Sequence, residues 1–196
     1  MHSMPKPTLR LRVALAAALL LACIPQLGAQ ADLPLNVQVP LLLRVLAYDR
    51  ALSRTGAGDV VVVVLYDAAS TVSGESRAAF VRAVRSGSIT TVNGRAIKLV
   101  EVNVAAGQVG AALRQNRAVA AYLTPGLDAR VDELVSAGSA SRTLLMTGNA
   151  QWVRRGVSVG VGTAGGRPKL FINLPAARGA GADLPATLLQ IATVVQ

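Results

Sequence analysis

The sequence predicts an α/β fold, a single domain with a mainly parallel sheet, flanking helices and a hairpin added near the C-terminus. Three observations carry this expectation. Residues 59–66, Asp-Val-Val-Val-Val-Val-Leu-Tyr, are β-branched almost throughout, which marks a strand covered on both faces and therefore a parallel sheet packed between helices. Two more short apolar runs, 119–123 and 142–146, alternate with segments of helical period, the order of strand-helix-strand units with crossover connections. Residues 157–161 and 169–173 flank Ala164, Gly165, Gly166, Arg167 and Pro168, a spacing that closes two strands into a hairpin.

The first residues stand apart from this domain. Lys6, Arg10 and Arg12, with no acid among them, precede an apolar run at 13–24 that is short for a bilayer span. Pro25 breaks the run, and Leu27-Gly28-Ala29-Gln30-Ala31 then offers small residues ahead of Asp32. This is the anatomy of a secretory signal peptide over residues 1–31, leaving 32–196 as the mature domain. A second reading takes Leu20-Leu21-Ala22-Cys23 as a lipobox, with Cys23 lipidated at the mature N-terminus. Either route carries the chain across a membrane. Cys23 is the only cysteine, so the mature domain holds no internal disulfide and its stability rests on its core. No later stretch approaches about 18 uncharged apolar residues, and no membrane span is expected in the mature chain.

Pro40 sits where a first helical turn tolerates proline, and a helix is predicted over 41–52. Leu42, Val45, Leu46 and Leu52 share its apolar face, with Arg44, Asp49 and Arg50 toward water. After the strand at 59–66, a helix over 73–85 turns Phe80, Val81 and Val84 inward and Arg77, Arg82 and Arg85 outward, and Gly87 ends it. Residues 89–92 and 96–104 flank Asn93-Gly94, a strong turn signal. A helix over 107–117, the strand at 119–123, a break at Pro125-Gly126, a helix over 127–137 and the strand at 142–146 follow. Beyond the hairpin, 175–179 begins a short helix and 184–195 closes the chain as another.

The net charge of +10 falls to about +7 once Lys6, Arg10 and Arg12 leave with the signal. Nucleic acid is not the expected partner, because the arginines are scattered, aromatics make up 3% of the chain and an export signal is present. The only histidine, His2, also leaves with the signal. With neither histidine nor cysteine in the mature domain, no catalytic residue, metal site or cofactor is predicted. Gly56-Ala57-Gly58 precedes a strand and Gly160-Val161-Gly162 lies in the hairpin, so neither forms a strand-loop-helix phosphate cradle.

Two groups of residues remain as candidates. Asn149-Ala150-Gln151-Trp152-Val153-Arg154-Arg155-Gly156 holds the only tryptophan beside two arginines in a connection after a buried strand. Trp152, Arg154 and Arg155 are therefore candidate partner-binding residues, since tryptophan and arginine anchor interfaces; the competing reading has Trp152 plugging the core. Asp67, Thr124 and Thr147 stand at strand ends, where open α/β sheets bind ligands, and would serve a small-molecule receptor resembling a solute-binding protein. The competing reading of Asp67 is a turn residue or helix cap. Asp132 and Glu133 point to different faces of one helix and read as solvated charges.

From Asn93 onward the chain resembles the YfiR-like family of periplasmic regulators. The residues that carry the likeness are Val92-Asn93-Gly94-Arg95-Ala96-Ile97, Trp152-Val153-Arg154-Arg155-Gly156-Val157 and Leu170-Phe171-Ile172-Asn173-Leu174-Pro175-Ala176-Ala177, with the Leu-rich closing segment 184–194. Where family members end the first helix on an aromatic-rich Phe-x-x-Trp-Pro segment, this chain has Leu46-Ala47-Tyr48-Asp49-Arg50. The cysteine pairs of some members are absent from the mature domain. The resemblance implies a small, often dimeric, non-enzymatic α/β protein. Its implied partner is the periplasmic part of an inner-membrane signalling protein, typically a diguanylate cyclase, which it would hold inactive.

Overall fold

The β-branched run becomes β1 (Val60–Tyr66), around which the sheet is assembled. The computed structural model describes residues 33–195; the expected signal segment, its cleavage after Ala31 and the alternative anchor Cys23 lie outside them. The described chain runs α1 (Leu35–Tyr48), α2 (Arg50–Arg54), β1, α3 (Thr71–Ser86), β2 (Thr91–Val92), β3 (Arg95–Asn103) and α4 (Val109–Gln115). It continues through β4 (Ala120–Leu123), α5 (Val131–Ser141), β5 (Leu144–Thr147), α6 (Ala150–Arg154), β6 (Val159–Ala164), β7 (Arg167–Asn173), α7 (Leu174–Gly179), α8 (Ala186–Ile191) and β8 (Thr193–Val195).

The eight strands lie in the order β2-β3-β1-β4-β5-β6-β7-β8. Strands β3, β1, β4, β5 and β6 pair in parallel, β7 runs antiparallel to β6, and β8 is parallel to β7. The mainly parallel sheet with an added hairpin is the architecture the sequence predicts. At one margin the two residues of β2 pair antiparallel with Arg95 and Ala96 of β3. Beyond a further bond from the Ile97 N–H to the Thr90 carbonyl, the outer side of β3 has no strand partner among the described residues.

Alternation within β1 divides the core into two layers. Val60, Val62 and Val64 pack with Leu42 and Leu46 of α1 and Phe80 of α3, whereas Val63 and Leu65 pack with Leu113 of α4, Leu134 of α5 and Trp152 of α6. Each such fully buried side chain stabilises the fold by about 1.5–3 kcal/mol relative to exposure, which explains why no disulfide is required. The β2–β3 turn places Asn93 at φ 52° and Gly94 at φ 77°, the paired positive angles that match a tight turn to the twist of its strands. Gly165 and Gly166, at 57° and 72°, do the same for β6–β7.

Four expectations need correction. The first helix starts at Leu35 and carries Pro40 inside it. The bond lost there is to the carbonyl of Asn36, an exposed residue, so water replaces it. Asp49 is 6% exposed, not solvated; its Oδ1 accepts the N–H groups of Ala51 and Asp183, each at 2.9 Å, and thereby caps α2. Arg77 is half-buried, paired with Glu101 at 2.7 Å and lying over the Tyr66 ring. Finally, the closing segment is not one helix: α8 ends at Ile191 and Thr-Val-Val becomes β8, where β-branched side chains suit a strand better than a helix.

Candidate functional site

The carboxyl ends of the parallel strands bring the three sequence-predicted ligand residues to one edge. Leu65 of β1 pairs with Leu123 of β4, and Leu123 pairs with Thr147 of β5, so Asp67, Thr124 and Thr147 lie side by side. From β1 the chain proceeds to β3 on one side and to β4 on the other, and such a switch point opens a crevice between strand ends. Here the crevice is filled by the start of α3. The Asp67 N–H donates to Ser73 Oγ at 2.8 Å, Ser73 Oγ lies 2.6 Å from Thr124 Oγ1, and the Thr124 hydroxyl donates to the Leu65 carbonyl at 2.9 Å. Since the Thr124 proton is committed to that carbonyl, Ser73 donates in the hydroxyl pair.

Ser73 and Thr124 are both fully buried. Gly126, at φ 87°, approaches so closely that an added Cβ would lie 2.8 Å from Ser70 Oγ. Thr147 Oγ1 accepts the Asn149 N–H at 3.1 Å, and Asp67 Oδ1 accepts the Ala69 N–H at 2.9 Å as a turn residue. The edge is correctly placed for a ligand, but its predicted polar groups hold the turns together. The signal that sequence reasoning missed is Ser73, whose hydroxyl plugs the switch point.

The second predicted group is a network, not an open patch. Trp152 is 2% exposed, packed in the α4–α5 layer, with its indole N–H donating to Asp128 Oδ1 at 3.0 Å. This corrects its assignment as a surface anchor, because a side chain sealed in the core cannot meet a partner without unfolding its surroundings. Arg155 donates from Nε to Asp132 Oδ1 at 3.1 Å, from Nη2 to Oδ2 at 3.0 Å, and from Nη1 to the Asp128 carbonyl at 2.9 Å. Arg154 is exposed. Asp132 is thus paired, as is Glu133, which holds Arg130 through two bonds of 2.8 and 3.0 Å. The hydrogen bond with Glu133 raises the Arg130 pKa above its ordinary value, with a smaller contribution from Asp67; the same bond lowers that of Glu133. Arg130 also donates to the Val104 carbonyl at 2.6 Å, joining this network to the end of β3.

No cluster of three or more His, Cys, Asp or Glu side chains among the described residues could hold a metal ion. No described helix is long and apolar enough to cross a membrane.

Residues 53–193 match the sequence profile described as YfiR/HmsC-like. The chain belongs to the YfiR/HmsC-like family. No curated protein matches this family member. Among solved structures, it is similar to a conserved domain protein from Vibrio cholerae O1 biovar El Tor, with a TM-score of 0.59 and 14% identity over 83% of this chain and 60% of that one. It is also similar to an ABC domain from Streptococcus pneumoniae solved in complex with L-Trp, with a TM-score of 0.57 and 16% identity over 83% and 62% of the two chains. This YfiR-like chain therefore spans about 60% of the length of those proteins, and the likeness at such identity is one of fold. The family itself is one of periplasmic regulatory proteins.

Proposed function

We propose that the protein is an exported, non-enzymatic regulator that binds the periplasmic part of an inner-membrane signalling protein, such as a diguanylate cyclase, and holds it inactive. The observation that carries the reading is the family match from residue 53 to 193, which covers nearly the whole described sheet. The export signal read from residues 1–31 supports it. So does the geometry at the switch point: the polar groups that a receptor or enzyme would aim at a small molecule are spent on internal bonds. A homodimer belongs to the same proposal.

Photo-crosslinking in native membranes, followed by identification of the captured protein, tests the reading directly. Capture of a membrane signalling protein, with raised cyclic-di-GMP output on deletion of the gene, is the expected result. Capture of no such protein together with unchanged output would overturn it. The competing small-molecule receptor, with Asp67, Thr124 and Thr147 as its contacts, draws support from the fold shared with the L-Trp-bound ABC domain. It predicts an amino acid, nucleotide or anion that raises the melting temperature by mass action; a screen with no shift counts against it.

A further inference from the structure

At the amino ends of β4 and β5, opposite the edge that carries Asp67, Thr124 and Thr147, lies a hollow of about 220 Å³. Leu52 of α2, Val119, Leu144 and Ala182 give it apolar walls, and Asp49 and Arg142 are the charged groups among the described residues that line it. Asp49 is 6% exposed. Its Oδ1 is spent on the N–H groups of Ala51 and Asp183, whereas Oδ2 has no hydrogen-bond partner among the described residues. Arg77 Nε is the one unpartnered side-chain polar atom sealed from solvent among those residues. Oδ2 is therefore not sealed, and it opens on the hollow that Asp49 lines.

Arg142 stands on the same hollow. It follows α5 at φ 52°, a conformation that glycine ordinarily supplies after a helix, so the guanidinium is carried there against the local backbone preference. Its side chain enters none of the hydrogen bonds or ion pairs among the described residues. Asp49 enters none of those ion pairs either. A nearly buried carboxylate and a guanidinium thus share one hollow, each without a counter-ion, although charges taken out of water are ordinarily paired.

Charge decides what completes the site. A purely cationic group at Asp49 meets the like charge of Arg142, and a purely anionic group at Arg142 meets that of Asp49. A molecule with an ammonium and a carboxylate satisfies both, since the guanidinium fork matches a carboxylate through paired N–H donors. Size limits the rest. Ordinary small-molecule sites enclose about 300–1,000 Å³; this one is smaller, and its short apolar walls suit an aliphatic stem.

We infer that this hollow binds a small aliphatic amino acid as its zwitterion, with the ammonium donating to Asp49 Oδ2 and the carboxylate held by Arg142. The inference goes beyond the regulatory reading and does not depend on it. It is also distinct from the competing receptor reading, whose contacts lie at the carboxyl ends of the strands.

Calorimetric titration and amide chemical shifts of the mature protein test it. The probes are L-alanine, β-alanine and γ-aminobutyrate, which differ in the distance between their charges, with propylamine and propionate carrying one charge each. At least one zwitterion is expected to bind, to shift the amides of Leu52, Val119 and Ala182, and to bind at least about tenfold more tightly than either single-charge probe, the difference made by one charge-assisted hydrogen bond. Asp49→Asn keeps an Oδ1 acceptor for both N–H groups and should weaken the zwitterion at least about tenfold. Arg142→Gln, at an exposed residue, should weaken it likewise with the melting temperature unchanged, and it decides the matter if Asp49→Asn fails to fold. Arg82→Gln, at an exposed residue of α3, should leave binding as it is.

No binding of any of the three zwitterions, a single-charge probe as tight as the best of them, or undiminished binding by Arg142→Gln overturns the inference. Zwitterion binding that survives Asp49→Asn and shifts the amides of Asp67, Thr124 and Thr147 places the ligand at the opposite edge and overturns this site. L-Tryptophan bound more tightly than the aliphatic zwitterions overturns the assignment by size.

Discussion

At the residue scale, Trp152 shows how a side chain's chemistry is outweighed by its surroundings. Its ring fills the space under α4 and α5, and its one polar atom is satisfied by Asp128, as a buried indole requires. Trp152→Ala is expected to cost about 3–5 kcal/mol in urea unfolding, with Trp152→Phe losing less because most of the volume is kept. A loss below about 1 kcal/mol for the alanine variant would contradict the packing described. Asn173 does more than its size suggests. Its Oδ1 caps α7 by accepting the Ala176 N–H at 2.9 Å, while its Nδ2 donates to the Val153 carbonyl at 3.0 Å. Asn173→Ala should destabilise by about 1–2 kcal/mol. Asn173→Asp should retain the cap and lose only the link to α6, a difference that paired unfolding curves resolve. The same residue ends the strand in the Ile-Asn-Leu motif, so the family-like finish has a physical reason.

At the scale of elements, the strands were legible wherever β-branched residues crowded together, as in β1, and the hairpin turns wherever adjacent residues demanded positive φ, as at Asn93-Gly94. What misled was periodicity without context. The Leu188 and Ile191 spacing continues a helix on paper, yet Thr193, Val194 and Val195 find a parallel partner in β7, and pairing with a distant strand is not written in local sequence. The start of α5 carries a pH dependence. The Glu133 carboxyl titrates below its ordinary value because Arg130 donates to it. Its contribution to stability is therefore complete above the unfolded-state value, near pH 4.3 on a typical scale, and is lost as pH falls through the lower folded value. Glu133→Gln should flatten that part of the acid limb in denaturation midpoints measured from about pH 6 to pH 3. The effect should be small and should shrink in salt, because the pair is exposed. An acid limb identical to wild type at low salt would refute the coupling.

At the scale of the whole molecule, distant parts of the chain are clasped at Asp183. Its N–H donates to Asp49 Oδ1, its carbonyl accepts the Arg50 N–H at 3.0 Å, and its carboxylate pairs with Arg54 at 3.1 Å. These bonds span more than a hundred residues of sequence, which is why Asp49 read as a solvated helix charge: its second partner could not be inferred from neighbours. The same limit hid the closed switch point, since Ser73 and Thr124 lie 51 residues apart. Strand-end logic located that edge but not its occupancy. If the chain beyond the signal is one domain, thermal unfolding should show a single transition by calorimetry and by circular dichroism. Asp49→Ala should lower its stability by about 1–3 kcal/mol without splitting the transition, because two half-buried donors, the N–H groups of Ala51 and Asp183, lose their acceptor. Two separated transitions in the wild-type protein would refute the single-domain expectation.

The outer side of β3 has consequences for the protein in crowded solution. A strand margin with free peptide groups is a template for a foreign strand, and natural sheets discourage this with charge. Lys98 and Glu101, both exposed, stand on that margin among the half-buried Val100 and Val102, with Glu101 held by Arg77. Replacing both by valine would leave a nearly continuous apolar ribbon, and light scattering of the concentrated variant should record growing aggregates where the native chain stays dispersed. Two charges worth little to folding stability thus act as guards against self-assembly.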